Sequence, residues 1–397
     1  MKILIIHNLH RKGSSSGDDQ VFFNEVDLLR KNGHSVVTYT TINDVFDSSS
    51  FIKKVFLSFG MIWSFKHYKN IRKLVKKEHP DIAHVHTFFP LLSPSIFYAL
   101  KKEKIKVIAT LHDTRLICPC ATSLRNNNIC NKCIDGKYFR ICKYKCFKGS
   151  FKQSFWISII FKFHRFLKTF YKKIDKYICL NNDQINLLIN AKYDQSKIVK
   201  KYNFCLDYYI DKYESITNLE LPDRFVVFYG RIGEEKGISV LMKIWEEIDD
   251  INIVVLGSGP MANELNKWAK NKANVYYLGY KPHDICQMIV KKSSFVIFPS
   301  IWYEGCSMVI LESESIGKPI VASDIGFLTE AIINGYNGYR VKLKSISDFK
   351  EKIYFLWNNE NLVKNMSENC RKDYLEKYSP ENNYNQLMKI YNETIKE

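Results

Sequence analysis

The sequence predicts an α/β protein built from two Rossmann-like domains. Short apolar runs alternate with amphipathic helical patterns in two successive series, as expected for two parallel sheets covered by helices. Glycine-containing turns follow several of the apolar runs. The length of 397 residues and the apolar content of 46% suffice for two hydrophobic cores. We therefore expect a first domain over residues 1–205, a second over 206–378 and a terminal helix over 379–397.

The first series opens with a strand, a glycine-containing loop and a helix. Residues 2–7 form an apolar run, Gly13 and Gly17 enclose three serines, and a helical pattern follows over residues 18–31. These glycines do not make the dinucleotide-binding fingerprint, so a ligand loop and a plain turn are both compatible with them. Further strands are predicted over residues 36–40, 81–86, 105–111, 174–180 and 198–201, with a helix near residues 94–102.

Two stretches of the first domain are both aromatic and basic. Residues 51–77 predict a helix or a helix pair, and residues 149–173 predict one long helix, each with an apolar side and a cationic side. Basic amphipathic helices are typical of proteins that lie on anionic membranes. An aromatic core with solvated lysines is the alternative interpretation.

The second series follows a connection over residues 202–222, which shows little periodicity. Strands are predicted over residues 225–229, 251–256, 275–278, 295–298 and 319–322, and helices over residues 238–248, 261–270, 285–291, 307–315, 349–357 and 360–376. Ser379, Pro380 and Glu381 make a helix start signal, so a last helix should run to about residue 395.

The chain is strongly basic. It contains 59 Lys and Arg against 41 Asp and Glu, a net charge of +18. An anionic membrane surface, phosphorylated ligands or nucleic acid would account for this surplus, as would a composition skewed toward Lys, Asn and Ile. Because no nucleic-acid-binding motif is present, nucleic acid is not an expected partner.

The sequence predicts a cytoplasmic protein, peripheral on the inner face of the cell membrane if the basic helices bind lipid. The apolar run after Lys2 is too short for the core of a signal peptide. No run reaches the roughly 18 apolar residues of a spanning helix.

A phosphate-binding edge is predicted in the second domain. The strand at 225–229 runs into Gly230 and Arg231, with Lys236 five residues further on, and Gly257 opens another turn after the strand at 251–256. Two cations and glycine turns can cradle phosphates, although a solvated turn with surface cations is the alternative. Since the carboxyl ends of parallel strands share one edge of a sheet, these turns should lie together.

Two carboxylates accompany this edge. Glu304 and Glu312 stand eight positions apart, across the junction between a loop and the helix that starts near residue 307. The first turn of a helix offers free N–H groups to an anion. Our hypothesis is a nucleotide-sugar site in which the helix start holds a diphosphate, Glu304 meets the sugar and Glu312 meets the ribose.

The motifs of the second half resemble those of the retaining GT-B glycosyltransferases of family 4. They are Gly-Arg-x3-Glu-Lys-Gly at 230–237, Gly-Ser-Gly-Pro at 257–260, Pro-Ser-x2-Tyr-Glu-Gly at 299–305 followed by Glu312, Pro-Ile-Val-Ala-Ser-Asp-Ile-Gly at 319–326, Glu330 and Asn-Gly at 337–338. The resemblance implies two Rossmann-like domains facing across a cleft, with a last helix that crosses back to the first domain. It places a UDP or GDP sugar mainly on the second domain and a glycan or lipid-linked acceptor on the first.

The resemblance also implies roles for individual residues. Arg231 and Lys236 would hold the diphosphate, Glu304 would lie near the sugar hydroxyls and Glu312 would accept from the ribose. His112, at the end of the strand at 105–111, would face the donor sugar, although a structural histidine is the alternative. The donor site would also include Gly17, Gly230, Gly257, Gly305, Cys306, Ser307, Met308 and Val309. The family more often has Phe-Gly where this chain has Cys306-Ser307-Met308.

The resemblance implies transfer with front-side displacement, in which the leaving diphosphate oxygen takes the proton of the acceptor. The catalytic set would be His112, Glu304, Arg231 and Lys236. Because the chain contains no Asp-x-Asp, we expect no catalytic metal or other cofactor. A nucleotide-sugar 2-epimerase of similar architecture and a non-catalytic sugar-nucleotide or membrane-binding scaffold are the alternatives.

Six cysteines lie within 29 residues of the first domain. Cys130 and Cys133 have the two-residue spacing of zinc ligands, Cys142 and Cys146 could complete a site, and Cys118 competes as a ligand together with Cys120. A structural Zn²⁺ is therefore expected, with free thiols as the alternative. Stable disulfides are not expected in the cytosol.

Overall fold

The computed structural model describes residues 1–10, 16–47, 50–125, 128–209 and 220–397. Gly13 and the centre of the connection between the two series lie outside the described residues. The chain divides into two compact units, Met1–Asn203 with Asn383–Glu397 and Phe204–Asn382. Within the described residues, no helix combines the length and apolarity needed to cross a bilayer.

The first unit contains a six-stranded parallel sheet in the order β2-β1-β3-β4-β7-β8. Its strands are β1 (Lys2–Leu9), β2 (Ser35–Ile42), β3 (Ile82–Val85), β4 (Lys106–Leu111), the two-residue pair β5 (Leu124–Arg125) and β6 (Asn128–Ile129), β7 (Lys176–Cys179) and β8 (Ile198–Lys200). Its helices are α1 (Gly17–Lys31), α2 (Asp44–Asp47), α3 (Phe51–Gly60), α4 (Phe65–Glu78), α5 (Ser95–Lys102), α6 (Arg140–Lys143), α7 (Phe151–Phe166), α8 (Thr169–Lys172) and α9 (Asn182–Asn190).

The helices predicted for the two basic aromatic stretches are found in one stretch and not in the other. The first forms the predicted helix pair, α3 and α4. The second is two helices, α7 and α8, and the prediction of one long helix was wrong. Lys168 adopts a left-handed conformation with φ 52°, which an α-helix cannot continue. The break turns Phe170 into the core, where it stacks on Phe161.

The second unit contains a six-stranded parallel sheet in the order β11-β10-β9-β12-β13-β14. Its strands are β9 (Val226–Tyr229), β10 (Ile253–Leu256), β11 (Val275–Gly279), β12 (Val296–Phe298), β13 (Ile320–Ser323) and β14 (Gly338–Val341), of which β14 was not predicted. Its helices are α10 (Ile238–Trp245), α11 (Ala262–Ala269), α12 (His283–Lys292), α13 (Met308–Ile316), α14 (Leu328–Ala331), α15 (Ile346–Trp357) and α16 (Glu360–Asp373).

This order is that of a Rossmann sheet, and it has one consequence for function. The sheet starts at β9 and grows to one side through β10 and β11, then to the other side through β12, β13 and β14. The loops after β9 and β12 therefore diverge and leave a crevice between them, which is where open α/β sheets bind ligands. The strands at its centre are buried on both faces, with Val226, Val227 and Phe228 fully inaccessible.

The last helix, α17 (Pro380–Lys396), packs on the first unit, as predicted. Leu387, Ile390 and Tyr391 join the core formed by β1, α1 and β3. The Tyr391 hydroxyl lies 2.8 Å from His84 Nδ1, and Lys201 Nζ donates to Asn383 Oδ1 over 3.0 Å. The helix therefore completes the apolar and polar core of the first unit.

Candidate functional site

The predicted donor residues of the second unit meet at the divergence of β9 and β12. Two glycines allow the backbone to approach closely there. Gly257 has φ 133°, and a Cβ atom on it would lie 1.8 Å from the Gly230 carbonyl oxygen. Gly237 has φ 77°, and its Cβ would lie 1.9 Å from the Pro299 carbonyl oxygen. Side chains at either position would push the loops after β9, β10 and β12 apart.

An ion pair joins the loops after β9 and β12. Lys236 Nζ lies 2.7 Å from Glu304 Oε1, and the Ser300 hydroxyl donates to the same oxygen over 2.8 Å. The Glu304 side chain is only 8% exposed, so this pair is screened by water less than a surface pair. The carboxylate is therefore held in one orientation at the crevice.

The second predicted cation is placed differently. The Arg231 side chain is 64% exposed, with its Nε 3.3 Å from Glu235 Oε1. An exposed pair of this kind contributes little to stability, so Arg231 can exchange partners at small cost. The same loop thus offers one cation held on Glu304 and one that faces solvent.

Helix α13 begins at the crevice. Gly305 and Cys306 precede its N-cap, Ser307, whose hydroxyl does not cap the first turn. The N–H groups of a first helical turn lack intrahelical acceptors and can bind an anion. The Tyr229 hydroxyl donates to the Val309 carbonyl over 2.8 Å and fixes this turn against the end of β9.

The loop after β13 packs against the backbone of Glu304. Gly326 has φ 56°, and its Cβ position lies 3.1 Å from both the backbone N and O of Glu304. The Phe327 N–H donates to the Glu304 carbonyl over 3.1 Å. The glycine in this family motif therefore permits close packing under the carboxylate.

Glu312 lies one helical turn further into α13 and is buried. Its two oxygens accept hydrogen bonds from His283 Nε2 at 2.9 Å and from Gln287 Nε2 at 2.9 Å. Burial lowers the pKa of His283, but the hydrogen bond to Glu312 and the negative charges of Glu312 and Asp284 together leave the pKa raised. His283 and Gln287 were not predicted, because they come from α12 and only the fold brings them to Glu312.

In the first unit, His112 follows β4 and is part of a buried histidine network. Its side chain is 1% exposed. His112 Nε2 lies 3.0 Å from His86 Nδ1, and His86 Nε2 lies 3.1 Å from Glu25 Oε1. Burial lowers the pKa of His86 to about 4 and that of His112 well below its usual value. Both rings are therefore neutral near pH 7.

This network assigns the tautomer of His112. The Glu25 carboxylate only accepts, so His86 Nε2 donates to it and the neutral His86 ring accepts at Nδ1. His112 then donates from Nε2 and keeps a lone pair on Nδ1. This buried Nδ1 has no hydrogen-bond partner, and Asp18 Oδ1 lies 3.8 Å away. His112 Nδ1 and the Asp18 carboxylate are thus two neighbouring hydrogen-bond acceptors.

The acceptors lie in a pocket of about 60 Å³ that is confined to the first unit. It is bounded by the ends of β1, β3 and β4, and its polar lining includes Asn8, His10, Asp18, Asp113 and Arg115. Gly17, the first residue of α1, precedes Asp18 in the chain. The loop before it lies outside the described residues.

Among the described residues, one group has three metal-binding side chains with ligand atoms within 4.8 Å of one another: Glu25, His84 and His86. Each of them is already engaged, since both histidines contact Glu25 Oε1 and Lys201 Nζ lies 3.6 Å from Glu25 Oε2. The charge of Lys201 opposes a cation at this place. We interpret this group as part of the polar core of the first unit.

The cysteine-rich segment separates its six thiols into two sets. Cys118, Cys130, Cys133 and Cys146 line one small pocket. Cys142 does not line it, because its sulfur points to α7 and lies 3.3 Å from Ser158 Oγ. Cys142, which the spacing suggested as a ligand, therefore lies outside the group of cysteines that lines this pocket.

Each half of the chain matches a glycosyltransferase family model. Residues 19–204 match the model described as Glycosyltransferase Family 4, and residues 210–373 match the model described as Glycosyl transferases group 1. Together, the two matches account for most of the chain.

Known proteins resemble the chain over most of its length. An uncharacterized glycosyltransferase of Methanocaldococcus jannaschii is 28% identical over 339 residues, which is 84% of this chain and 81% of that protein. The UDP-Gal:alpha-D-GlcNAc-diphosphoundecaprenol alpha-1,3-galactosyltransferase of Escherichia coli is 23% identical over 340 residues, 81% and 77% of the two chains. The crystal structure of HepE from Anabaena in complex with UDP-glucose has a TM-score of 0.67 at 14% identity, covering 99% and 100% of the two chains.

Proposed function

Because this chain belongs to the family 4 glycosyltransferases of the GT-B fold, we propose that it transfers a sugar, with retention, from a UDP sugar to a lipid-linked glycan. The observation that carries this proposal is the convergence of Lys236, Glu304 and the start of α13 at the divergence of β9 and β12. The donor and acceptor types follow those of the relatives, which include a UDP-galactose-dependent enzyme acting on a diphosphoundecaprenol-linked sugar. Such acceptors suit the synthesis of a cell-surface polysaccharide.

The diphosphate of the donor would bind between the loop after β9 and the first turn of α13. Lys236 and Arg231 supply two positive charges, and the N–H groups at Ser307, Met308 and Val309 supply hydrogen bonds and the positive end of the helix dipole. The exposed Arg231 can close on the phosphates from solvent. Gly230 and Gly257 let the backbone come close to the ligand.

Glu304 would bind the hydroxyls of the donor sugar, and Glu312 would accept from the ribose. The ion pair with Lys236 at 2.7 Å makes Glu304 a poor nucleophile, because attack would have to separate the pair. The same pair makes it a well-oriented hydrogen-bond acceptor. His283 and Gln287 would hold Glu312 in place beneath the ribose.

Retention would follow from displacement on one face of the sugar. The bond from the anomeric carbon to the diphosphate oxygen breaks, the bond to the acceptor oxygen forms on the same side, and the acceptor proton passes to the departing diphosphate. The negative charge of that leaving group grows during the reaction. Lys236, Arg231 and the helix end would stabilise it, which is the principal catalytic contribution we assign to the protein.

His112 would bind a hydroxyl of the substrate through Nδ1. The tautomer set by His86 and Glu25 leaves this nitrogen as an acceptor, with the Asp18 carboxylate 3.8 Å away. A sugar hydroxyl that donates to His112 would satisfy a buried atom that has no partner otherwise. His86 and Glu25 would be positioning residues in this arrangement.

The first unit would lie on an anionic membrane surface, where a lipid-linked acceptor is found. Residues 48–77 and 136–174, which contain α3, α7, α8 and all of α4 except its last residue, Glu78, include many lysines and no Asp or Glu. They carry exposed phenylalanines at positions Phe56, Phe59, Phe65, Phe151, Phe155, Phe163 and Phe166. Trp156 Nε1 on α7 donates to the Ser58 carbonyl on α3 over 3.0 Å, so the two helices form one surface. Exposed aromatics among cations are typical of interfacial membrane binding.

A donor-binding and transfer experiment tests this function. UDP, GDP and ADP sugars are compared by thermal shift, and we expect UDP sugars at a hundredfold excess over Kd to raise the Tm by a few degrees, corresponding to about 2.7 kcal/mol. Transfer is then measured with a polyprenyl-diphosphate-linked sugar. Glu304→Gln should lower kcat by about 100-fold without changing the Tm of the free protein by more than a few degrees.

The matched control is Glu247→Gln, which also removes a Lys–Glu pair, with Lys350, but at the far end of α10. It should retain full activity. Conversion of the donor sugar without any acceptor would identify an epimerase instead. Full activity of Glu304→Gln, or no stabilisation by any nucleotide sugar, would refute the proposed site.

A further inference from the structure

Four cysteines converge in the insertion that follows β4, and the donor site makes no use of them. Cys118, Cys130, Cys133 and Cys146 line a cavity of about 20 Å³. A cavity of this size holds about one water-sized particle, so it suits a single ion and excludes a substrate. Lys132 and Arg140 complete its charged lining.

Separate backbone turns bring these sulfurs together. Cys118 ends a turn in which its N–H donates to the Thr114 carbonyl over 2.8 Å, and the Cys130 N–H donates to the Ser123 carbonyl over 2.8 Å. The Cys146 N–H donates to the Ile141 carbonyl over 3.0 Å at the end of α6. Cys130 and Cys133 have the two-residue spacing of a zinc knuckle.

Regular structure does little to hold this insertion. Its elements are the two-residue strands β5 and β6 and the four-residue helix α6. A segment with so few ladder and helix hydrogen bonds needs another constraint to order it. All six of its cysteines are free thiols, so no covalent link provides that constraint.

We propose that Cys118, Cys130, Cys133 and Cys146 bind one structural Zn²⁺ ion that orders residues 113–146. Four thiols lose their protons to solvent as four Zn–S bonds form. The resulting centre carries two negative charges, which Lys132 and Arg140 neutralise from the same lining. Because Asp113 and Arg115 lie between His112 and the first of these ligands, the ion also anchors the loop that lines the His112 pocket.

The four sulfurs line the cavity from separate turns of the chain. In the structure, no three of the sulfurs lie within 4.8 Å of one another, whereas Zn–S bonds of about 2.3 Å require a tighter group. Metal binding therefore draws the turns together, and metal removal should loosen the whole insertion.

Cys142 provides an internal control, because it packs on Ser158 in α7 and does not line the cavity. It should not contribute to metal binding. Cys120 also lies outside the lining, but its thiol is hydrogen-bonded to the Cys118 side chain, so it is not used as a control.

Elemental analysis of the purified full chain tests the proposal. We expect about one zinc per chain, and a chelator strong enough to remove it should lower the Tm and expose residues 118–146 to proteolysis. Cys118→Ser, Cys130→Ser, Cys133→Ser and Cys146→Ser should each lose the metal, whereas Cys142→Ser should keep it. Replacement by Co²⁺ should give the intense thiolate charge-transfer absorption of a four-sulfur tetrahedral site.

The Co²⁺ spectrum keeps the test valid if a ligand variant fails to fold, because it reports on the unsubstituted protein. Folded protein without zinc and with six freely titratable thiols in this segment would overturn the proposal. So would bound iron in place of zinc, or loss of the metal in Cys142→Ser with retention in Cys146→Ser. Since none of these readouts measures sugar transfer, failure of the zinc site leaves the proposed function untouched.

Discussion

The donor site depends on contacts between single atoms in neighbouring loops. Lys236 reaches Glu304 only because the backbone at Gly237 passes directly over Pro299. The left-handed φ of 77° at Gly237 and the 1.9 Å between its Cβ position and the Pro299 carbonyl oxygen leave room for glycine alone. The loops after β9 and β12, which form the proposed donor site, are thereby held together.

Gly237→Ala is expected to destabilise the second unit and to weaken donor binding strongly. The substitution adds the cost of a left-handed alanine, about 1 kcal/mol, to a clash that can be relieved only by separating two loops, together about 3 kcal/mol or more. The Tm and the Kd for the UDP sugar measure the two effects.

Gly279→Ala is the matched control. Gly279 ends β11 with a similar φ of 68°, but a Cβ there would meet no atom within 4 Å. Gly279→Ala should show the free-energy cost of a left-handed alanine, without a steric clash and without loss of donor affinity. Equal effects of the two substitutions would contradict the role assigned to the close approach at Pro299.

At the scale of elements, the break between α7 and α8 is stabilised by a buried histidine. His164 Nε2 lies 2.8 Å from the Ile62 carbonyl oxygen in the link between α3 and α4, and Nδ1 lies 2.9 Å from Thr169 Oγ1 at the start of α8. One ring therefore joins α7, α8 and the link between α3 and α4. Burial lowers its pKa to about 4 although the Ile62 carbonyl opposes the shift, so the ring is neutral in the folded protein.

This histidine should make the first unit sensitive to acid. Its pKa is 6.5 when unfolded and about 4 when folded, so the unfolded chain binds the proton first as the pH falls. The stabilisation is complete above pH 6.5 and is lost progressively between pH 6.5 and pH 4, with a limiting slope of about 1.4 kcal/mol per pH unit. His164→Asn removes this slope, which urea unfolding at several pH values measures.

Thr169→Val is the control for this experiment. It removes the hydrogen-bond partner at Nδ1 but leaves the titrating ring buried, so it should lower stability and retain the pH slope. An unchanged slope in His164→Asn would show that other groups determine the acid sensitivity.

At the scale of the whole molecule, charge and exposed aromatic rings are concentrated in the first unit. Phe56 is 73% exposed and Phe166 is 82% exposed, and neither contributes to the core. The segments that carry them have lysines but no acidic residues. This combination favours an anionic surface over neutral lipid.

Vesicles of phosphatidylglycerol mixed with phosphatidylcholine should therefore bind the protein in a salt-dependent way, whereas pure phosphatidylcholine should not. Phe56→Ser with Phe166→Ser should weaken flotation with the anionic vesicles and leave the Tm unchanged. Leu375→Ser, at an exposed apolar position of the second unit, is the control. Vesicle binding that depends neither on salt nor on the two phenylalanines would contradict the proposed surface.

The convergence of the candidate donor residues could be predicted because most of them follow one another in the chain. Gly230 to Gly237 form one loop, and Glu304 to Glu312 form one loop and the start of one helix. Backbone preferences and spacing act over such short distances. The same reasoning predicted the strands, but it missed the break at Lys168, where the buried packing of Phe170 overrides the continuous helical pattern.

The sequence by itself determined the two Rossmann-like domains, the family and the residues expected to meet the donor, whose roles stay predictions. Only the tertiary structure decided which residues meet across strands. It placed His283 and Gln287 on Glu312, set the tautomer of His112 through His86, and arranged Cys118, Cys130, Cys133 and Cys146 around one small pocket. The physical reason is that periodicity and turn preferences are local, whereas these contacts depend on strand order, which brings β9 beside β12 and β3 beside β4 from distant parts of the chain.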